Sequence, residues 1–236
     1  MKTAIMQPYF FPYIGYFQLL NAVDEFILYD NIEYTKKGWI NRNRILSNGK
    51  EQLISIPIKK DSDYLSIEER SLSDGWNKDK MKLFNKIKES YRKAPYFNQS
   101  IEVIESCLLF KEQNLFQFIH NSLIQIAEHL NINTPIIRSS EISIDHSLKS
   151  QEKVLALCNA RECSTYVNPI GGLNLYNKGD FLNENIDLRF IKSNSFEYVQ
   201  FKNEFIPWLS VVDVIMFNSQ QQIKKYLNEG FTLIEN

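Results

Sequence analysis

Short apolar runs alternate with longer amphipathic stretches along the chain. Residues 3–6 are apolar and give way at once to a proline-containing loop, so they read as a buried strand. Residues 13–23, introduced by Pro12, read as a helix, and residues 25–29 as a second strand ending at Asp30. Strand, helix and strand in this order outline a βαβ unit. Residues 41–46 and 52–58 flank Ser47-Asn48-Gly49. An Asn-Gly pair tolerates positive φ, so these two segments are expected to form a hairpin.

From residue 76 to residue 130 the apolar positions recur at helical spacing, interrupted at Ala94-Pro95. Proline removes a backbone donor and disfavours helix in the residue before it, so three helices are expected here. In the last of them Leu115, Ile119, Leu123, Ile126 and Leu130 share one face, while His120, Asn121 and Glu128 lie off it. Residues 135–138 and 164–167 then read as strands joined by a crossover helix over residues 152–160. The alternation predicts a Rossmann-like α/β fold: a mostly parallel sheet flanked by helices, with a helical insertion at about residues 76–131. No repeat or linker divides the chain, so residues 1–236 are expected to form a single domain.

Composition narrows the functional classes. A chain of 236 residues, 44% of them hydrophobic, can bury a core of this kind. Its 27 basic and 28 acidic residues nearly cancel, which argues against nucleic acid as a partner, since that mode of binding depends on counterion release by clustered positive charge. The first apolar run is too short for a signal peptide or a bilayer span, so a cytoplasmic protein without membrane insertion is expected. Three cysteines without CxxC spacing and three scattered histidines without HExxH spacing support neither a disulfide framework nor a metal site. Cys107 follows a helical apolar pattern and reads as packing; His146, in Asp145-His146-Ser147, is the histidine least readily assigned to the core.

In an open parallel sheet, ligands bind beyond the carboxyl ends of the strands. Two polar constellations fall there. The first is the loop from Gln7 through Pro8, Tyr9, Phe10, Phe11, Pro12 and Tyr13 to Gly15. Its prolines stiffen it, its aromatics suit a planar ring, and Gln7 supplies a donor and an acceptor. The competing reading is that the aromatics are core and the prolines shape a turn. The second runs from Asp30 through Trp39 to Asn41-Arg42-Asn43-Arg44. Alternation would place Asn41 and Asn43 on one face and Arg42 and Arg44 on the other, where a guanidinium fork suits phosphate or carboxylate oxygens. An ordinary solvated hairpin is the alternative. Further on, Asn168, Gly171 and Gly172 follow a strand and lead to Tyr176, and paired glycines let backbone amides approach an anion. Gln200 precedes the closing helix, which Ser210 or Asp213 is placed to cap.

Together these residues resemble the WbqC-like family, whose members occur in bacterial O-antigen and related polysaccharide gene clusters. The carriers are Gln7-Pro8-Tyr9-Phe10-Phe11-Pro12 with Gly15-Tyr16-Phe17, Asp30, Trp39 to Ile45, Tyr166 with Asn168 and Gly171-Gly172, and Phe205 with Pro207, Leu209-Ser210 and Asp213. Many relatives have a histidine immediately before the Gln-Pro pair, where Met6 stands here. The resemblance implies an enzyme that transfers an acyl group, an aminoacyl group such as glycyl in particular, to the amine of a nucleotide-linked amino sugar. Its partners would be that sugar and an amino acid or other acyl donor, with ATP as a cofactor where the amino acid is activated on the protein. The first βαβ unit is also similar to the HxGH nucleotidyltransferases, without either histidine of their motif, and that reading predicts pyrophosphate release.

In the transfer reaction Asp30 is expected as base or amine-orienting group, with Gln7 and Asn43 as oxyanion or sugar contacts. Substrate contacts are expected from Tyr9, Tyr13, Gly15, Trp39, Asn41, Arg42, Arg44, Asn168, Gly171, Gly172, Tyr176 and Gln200, with no metal. The alternative is a non-catalytic protein that binds a nucleotide sugar or regulates a partner enzyme of the same pathway.

Overall fold

A computed structural model of the chain describes residues 1–202 and 204–235. Its centre is a six-stranded sheet. In chain order β1 (Lys2–Met6) leads through α1 (Ile14–Asn21) to β2 (Glu25–Leu28), as expected for the βαβ unit. A separate hairpin of β3 (Arg42–Ser47) and β4 (Lys50–Ser55) follows, closed by Asn48 and Gly49 at φ 51° and 73°. Two consecutive residues in the left-handed region match the right-handed strand twist, which is why Asn-Gly closes this turn.

The insertion comprises α2 (Trp76–Tyr91), α3 (Phe97–Leu109) and α4 (Leu115–His129), with the break at Ala94-Pro95 as the sequence predicts. Asn114 caps α4 by accepting the Gln117 amide at 3.0 Å. The apolar face from Leu115 to Leu130 is buried, each Leu or Ile contributing roughly 1.5–3 kcal/mol relative to exposure. The chain then returns through β5 (Ile136–Arg138), α5 (Ser150–Ala160), β6 (Thr165–Pro169), α6 (Lys178–Asn183) and β7 (Asp187–Ser193). It closes with α7 (Val211–Phe217), α8 (Gln220–Glu229) and β8 (Phe231–Glu235).

The strand order is β5-β2-β1-β6-β7-β8, parallel except for the antiparallel edge strand β8. Alternate residues of the central strands serve opposite cores. Ala4, Phe26, Leu28, Val167 and Ile191 pack with α1, the insertion and α7, whereas Ile5, Ile27, Tyr166, Leu188 and Phe190 pack with α5 and α6.

Strand order reverses between β1 and β6, the switch point at which open parallel sheets bind ligands. The pairing opens there. β1 bonds to β2 as far as Met6 and β6 to β7 as far as Pro169, but β1 pairs with β6 only at Lys2 and Thr3. Beyond those residues the two central strands part toward their carboxyl ends.

Candidate functional site

A cavity of about 500 Å³ fills that parting, with Met6 at its β1 side and Asn168 and Pro169 at its β6 side. Its size lies in the range of small-molecule sites, about 300–1,000 Å³. The loop after β1 supplies one wall by dividing its aromatics. Phe10 and Phe11 are buried in the core, so the packing reading holds for them, while half-buried Tyr9 and Tyr13 face the cavity.

That division depends on a strained residue. Phe11 has φ 42°, a left-handed backbone that costs a bulky side chain on the order of 1–3 kcal/mol. Neighbouring segments hold it there. Asn43 Nδ2 donates to the Phe10 and Phe11 carbonyls at 3.0 and 2.8 Å, Ser210 Oγ donates to the Phe11 carbonyl at 2.7 Å, and the Val211 amide donates to the Pro12 carbonyl at 2.8 Å. Asn43 therefore borders the cavity with its amide donors committed to the loop, acting as a positioning residue for Tyr9 and Tyr13. Gly15 completes the arrangement: a Cβ there would stand 2.3 Å from the Tyr13 ring.

Two exposed tryptophans stand beside this loop on the rim. Trp39 is 40% and Trp208 57% exposed, and both line the cavity. The Tyr13 ring meets Trp208 edge-on at 5.7 Å, and the Arg44 guanidinium lies 5.3 Å from the Trp39 ring. Arg44 is the one cationic side chain in the lining among the described residues. It pairs with Glu51 at 2.8 Å, and its Nε is buried without a hydrogen-bond partner. Across the cavity, residues 170–175 form a 3-10 turn. Gly172 is tightly packed, since a Cβ would meet Asn168 Nδ2 at 2.0 Å, whereas Gly171 has nothing within 4 Å and presents open backbone.

The lining is mostly apolar and aromatic, and among the described residues it contains no Asp, Glu, His, Cys or Lys. Burial raises the Tyr9 and Tyr16 phenols above their ordinary range, so both are neutral hydrogen-bonding groups at physiological pH. Tyr16 donates to the Gln7 carbonyl at 3.0 Å.

Other expected site residues lie elsewhere. Gln7 is half-buried and outside the lining. Asn41 accepts from Tyr34 Oη and donates to the Ile56 carbonyl, both at 2.8 Å, and Arg42 donates to the Gly38 and Lys37 carbonyls. Tyr176 contacts the Tyr166 hydroxyl at 3.2 Å in the opposite core. Gln200 donates to Asp213 at 2.7 Å and accepts from the Ile206 amide at 2.7 Å.

Asp30 forms a second polar centre at the ends of β2 and β5. Its buried carboxylate accepts from Arg138 Nε and Ser139 Oγ at 2.8 Å, from the Ser140 amide at 3.0 Å, and from Ser140 Oγ. Burial pushes this acid upward, but the hydrogen bonds from Ser140, Arg138 and Ser139 outweigh it and hold the group below its ordinary value. Arg138 also meets Glu68 at 3.2 Å. Asp30 does not line the cavity.

Trp208, Tyr16 and Ser193, none of them expected as a substrate contact from the sequence, also line the cavity. Ser193 stands at the carboxyl end of β7, which the alternation of Leu188 and Phe190 with Arg189 could have marked as a strand. Trp208 reaches the cavity through a left-handed turn at φ 61°, and no periodicity signals that.

An α/β protein with an aromatic-lined cavity at the switch point of its parallel sheet is the class that fold and site define. Within that class the chain belongs to the WbqC-like protein family, whose sequence model matches residues 7–225. It is similar over 230 residues, at 26% identity, to an uncharacterized protein of Mycobacterium tuberculosis (strain ATCC 25618 / H37Rv), the match covering 96% of this chain and 97% of that one. No solved structure matches the chain. Among the described residues no helix is long and apolar enough to cross a membrane.

Proposed function

We propose that the switch-point cavity holds a nucleotide-linked amino sugar and presents its amine for acylation, within bacterial O-antigen or related polysaccharide assembly. The observation that carries this reading is the grouping of the aromatic rings of Tyr13, Trp39 and Trp208 with one cation, Arg44, around a cavity of ligand size. Aromatic faces suit a nucleobase and the sugar's apolar ring face. A guanidinium suits diphosphate oxygens, and the open backbone at Gly171 lets them approach closely.

Acylation joins the sugar nitrogen to the acyl carbon, breaks the bond from that carbon to its leaving group, and releases one amine proton. Among the described residues the lining has no carboxylate or histidine to receive that proton, so the proton passes to the leaving group or water. The protein's contribution is then mainly to hold the two reactants in line, an effect large enough to supply several kcal/mol. Tyr9, neutral at physiological pH, is a donor suited to the developing oxyanion. Asp30 has a scaffold role in this reading, because its acceptor sites are filled by Arg138, Ser139 and Ser140.

The same absence of acid–base groups favours a second reading, a protein that binds the nucleotide sugar without transforming it. Mass spectrometry separates the two. The protein is incubated with nucleotide-linked amino sugars, glycine, ATP and activated acyl donors. A mass gain on the sugar supports transfer; binding without product across the full donor set supports the second reading, and release of pyrophosphate with a new nucleotide product would replace both with nucleotidyl transfer.

A further inference from the structure

Beside the main cavity lies a smaller compartment of about 50 Å³ that shares Tyr13, Ser193 and Trp208 with it. Its remaining wall is largely apolar: Ile14 from α1, Leu209 and Val214 around α7, and Phe196 and Phe205 from the preceding loop. Three of the polar wall residues are already committed. Ser193 Oγ donates to Gln18 Oε1 at 2.6 Å, Tyr198 Oη donates to Asp213 Oδ2 at 2.7 Å, and Asn194 Oδ1 accepts from Thr232 at 3.0 Å. No charged side chain lines it among the described residues.

Such a space discriminates by size. Roughly 10–15 Å³ holds one water, so the compartment admits about three or four heavy atoms. Five aromatic rings line it, from Tyr13, Phe196, Tyr198, Phe205 and Trp208, and these receive a methyl by apolar contact or an ammonium by cation–π attraction. Trp208 forms the partition, and its left-handed backbone at φ 61° is a strain that fixes an exposed ring between the two spaces.

We infer that this compartment is the acyl subsite and that it selects a short acyl group, of acetyl or glycyl size, over longer ones. The inference rests on the nucleotide-sugar reading of the main cavity and narrows its second substrate. Val214 sets the depth of the compartment and Trp208 its boundary.

The test uses calorimetry with the full chain and uridine- and thymidine-diphosphate hexosamines bearing a free amine, an N-acetyl, an N-glycyl or an N-hexanoyl group. N-acetyl and N-glycyl sugars are expected to bind at least tenfold more tightly than N-hexanoyl ones. Val214→Phe, which fills the compartment, and Trp208→Gly, which removes the partition and relieves the strained φ, should each collapse that preference. Two variants of opposite effect on packing guard against a simple folding failure. Equal binding of all N-substituents, or a preference that survives both changes, overturns the inference and leaves the nucleotide-sugar reading standing. Failure of every sugar to bind defeats that reading instead. The compartment is then judged by xenon-pressurised crystals: xenon beside Val214 supports a dry apolar space, and its absence there overturns it.

Discussion

Two places at the carboxyl edge of one sheet are built in opposite ways. At the ends of β2 and β5, Asp30, Arg138, Ser139 and Ser140 satisfy one another and close the structure. At the ends of β1 and β6 the strands part, and the space is lined by aromatic faces, one arginine and open glycine backbone. The charge-rich centre has the look of chemistry in the sequence, yet its groups are fully engaged. The apolar opening has no acidic side chain in its lining among the described residues, yet it keeps a ligand-sized space bordered by aromatic rings and the open backbone of Gly171. A buried ion pair indicates scaffold when its acceptors are filled, whereas a ligand site must keep interaction capacity in reserve.

The comparison breaks most sharply at Asp30. Asp30→Asn leaves the Arg138 guanidinium without its closest carboxylate while Glu68 and Glu141 stay in reach, and urea denaturation should show a loss of about 3 kcal/mol. Nucleotide-sugar affinity of the remaining folded protein should be unchanged. A stable but catalytically dead variant would return Asp30 to the reaction as a base.

The next effect sets Asp30 against the other buried carboxylate, Asp213. Asp213 accepts from Tyr91 at 2.9 Å and from Tyr198 and Gln200 at 2.7 Å, but burial outweighs these bonds and pushes its acid up to about 6 from 3.8. Between those values the folded state holds a proton that the unfolded chain releases, so stability falls as pH rises, by on the order of 3 kcal/mol. Asp30 behaves oppositely. Its acid is lowered, so its contribution is present above the unfolded value of 3.8 and lost as pH falls through the lower folded one. Thermal melts from pH 3 to pH 7 should show the alkaline-side decline vanish in Asp213→Asn and persist in the parent.

A paired glycine experiment sharpens the cavity side. Gly172→Ala forces a Cβ against Asn168 and should cost about 1–3 kcal/mol of stability together with ligand affinity. Gly171→Ala meets nothing within 4 Å, so stability should be nearly unchanged while a ligand that approaches the backbone binds more weakly. The smallest expected effect is at Arg44, where Arg44→Ala should weaken a diphosphate sugar about tenfold in calorimetry, as the loss of one charge-assisted hydrogen bond predicts.

Much of the frame was legible because it is local. Residues 3–6 were short and apolar, Asn48-Gly49 demanded a turn, and Ala94-Pro95 broke a helical pattern. Tyr9, Tyr13, Trp39, Arg44 and Gly171 were legible as site candidates because loops after strands converge at the switch point. What escaped depends on distant segments. Asn43 looked like a ligand contact, but its partners are the carbonyls of Phe10 and Phe11. Asp30 looked available until Ser139 and Ser140, at the end of another strand, filled its oxygens. Trp208 entered the site only because Ser210 and Val211 dock on the loop carrying Phe11 and Pro12.

The three tryptophans provide the most direct measurement of where ligand binds, because Trp39 and Trp208 line the cavity while Trp76 is buried in the insertion. Their indole N–H signals can be followed by nitrogen-resolved NMR as a nucleotide-linked amino sugar is titrated in. The cavity at the β1/β6 opening predicts that the Trp39 and Trp208 signals shift together with saturation while Trp76 stays in place. Saturable binding that leaves Trp39 and Trp208 unmoved and shifts the amides around Asp30 and Arg138 would contradict it.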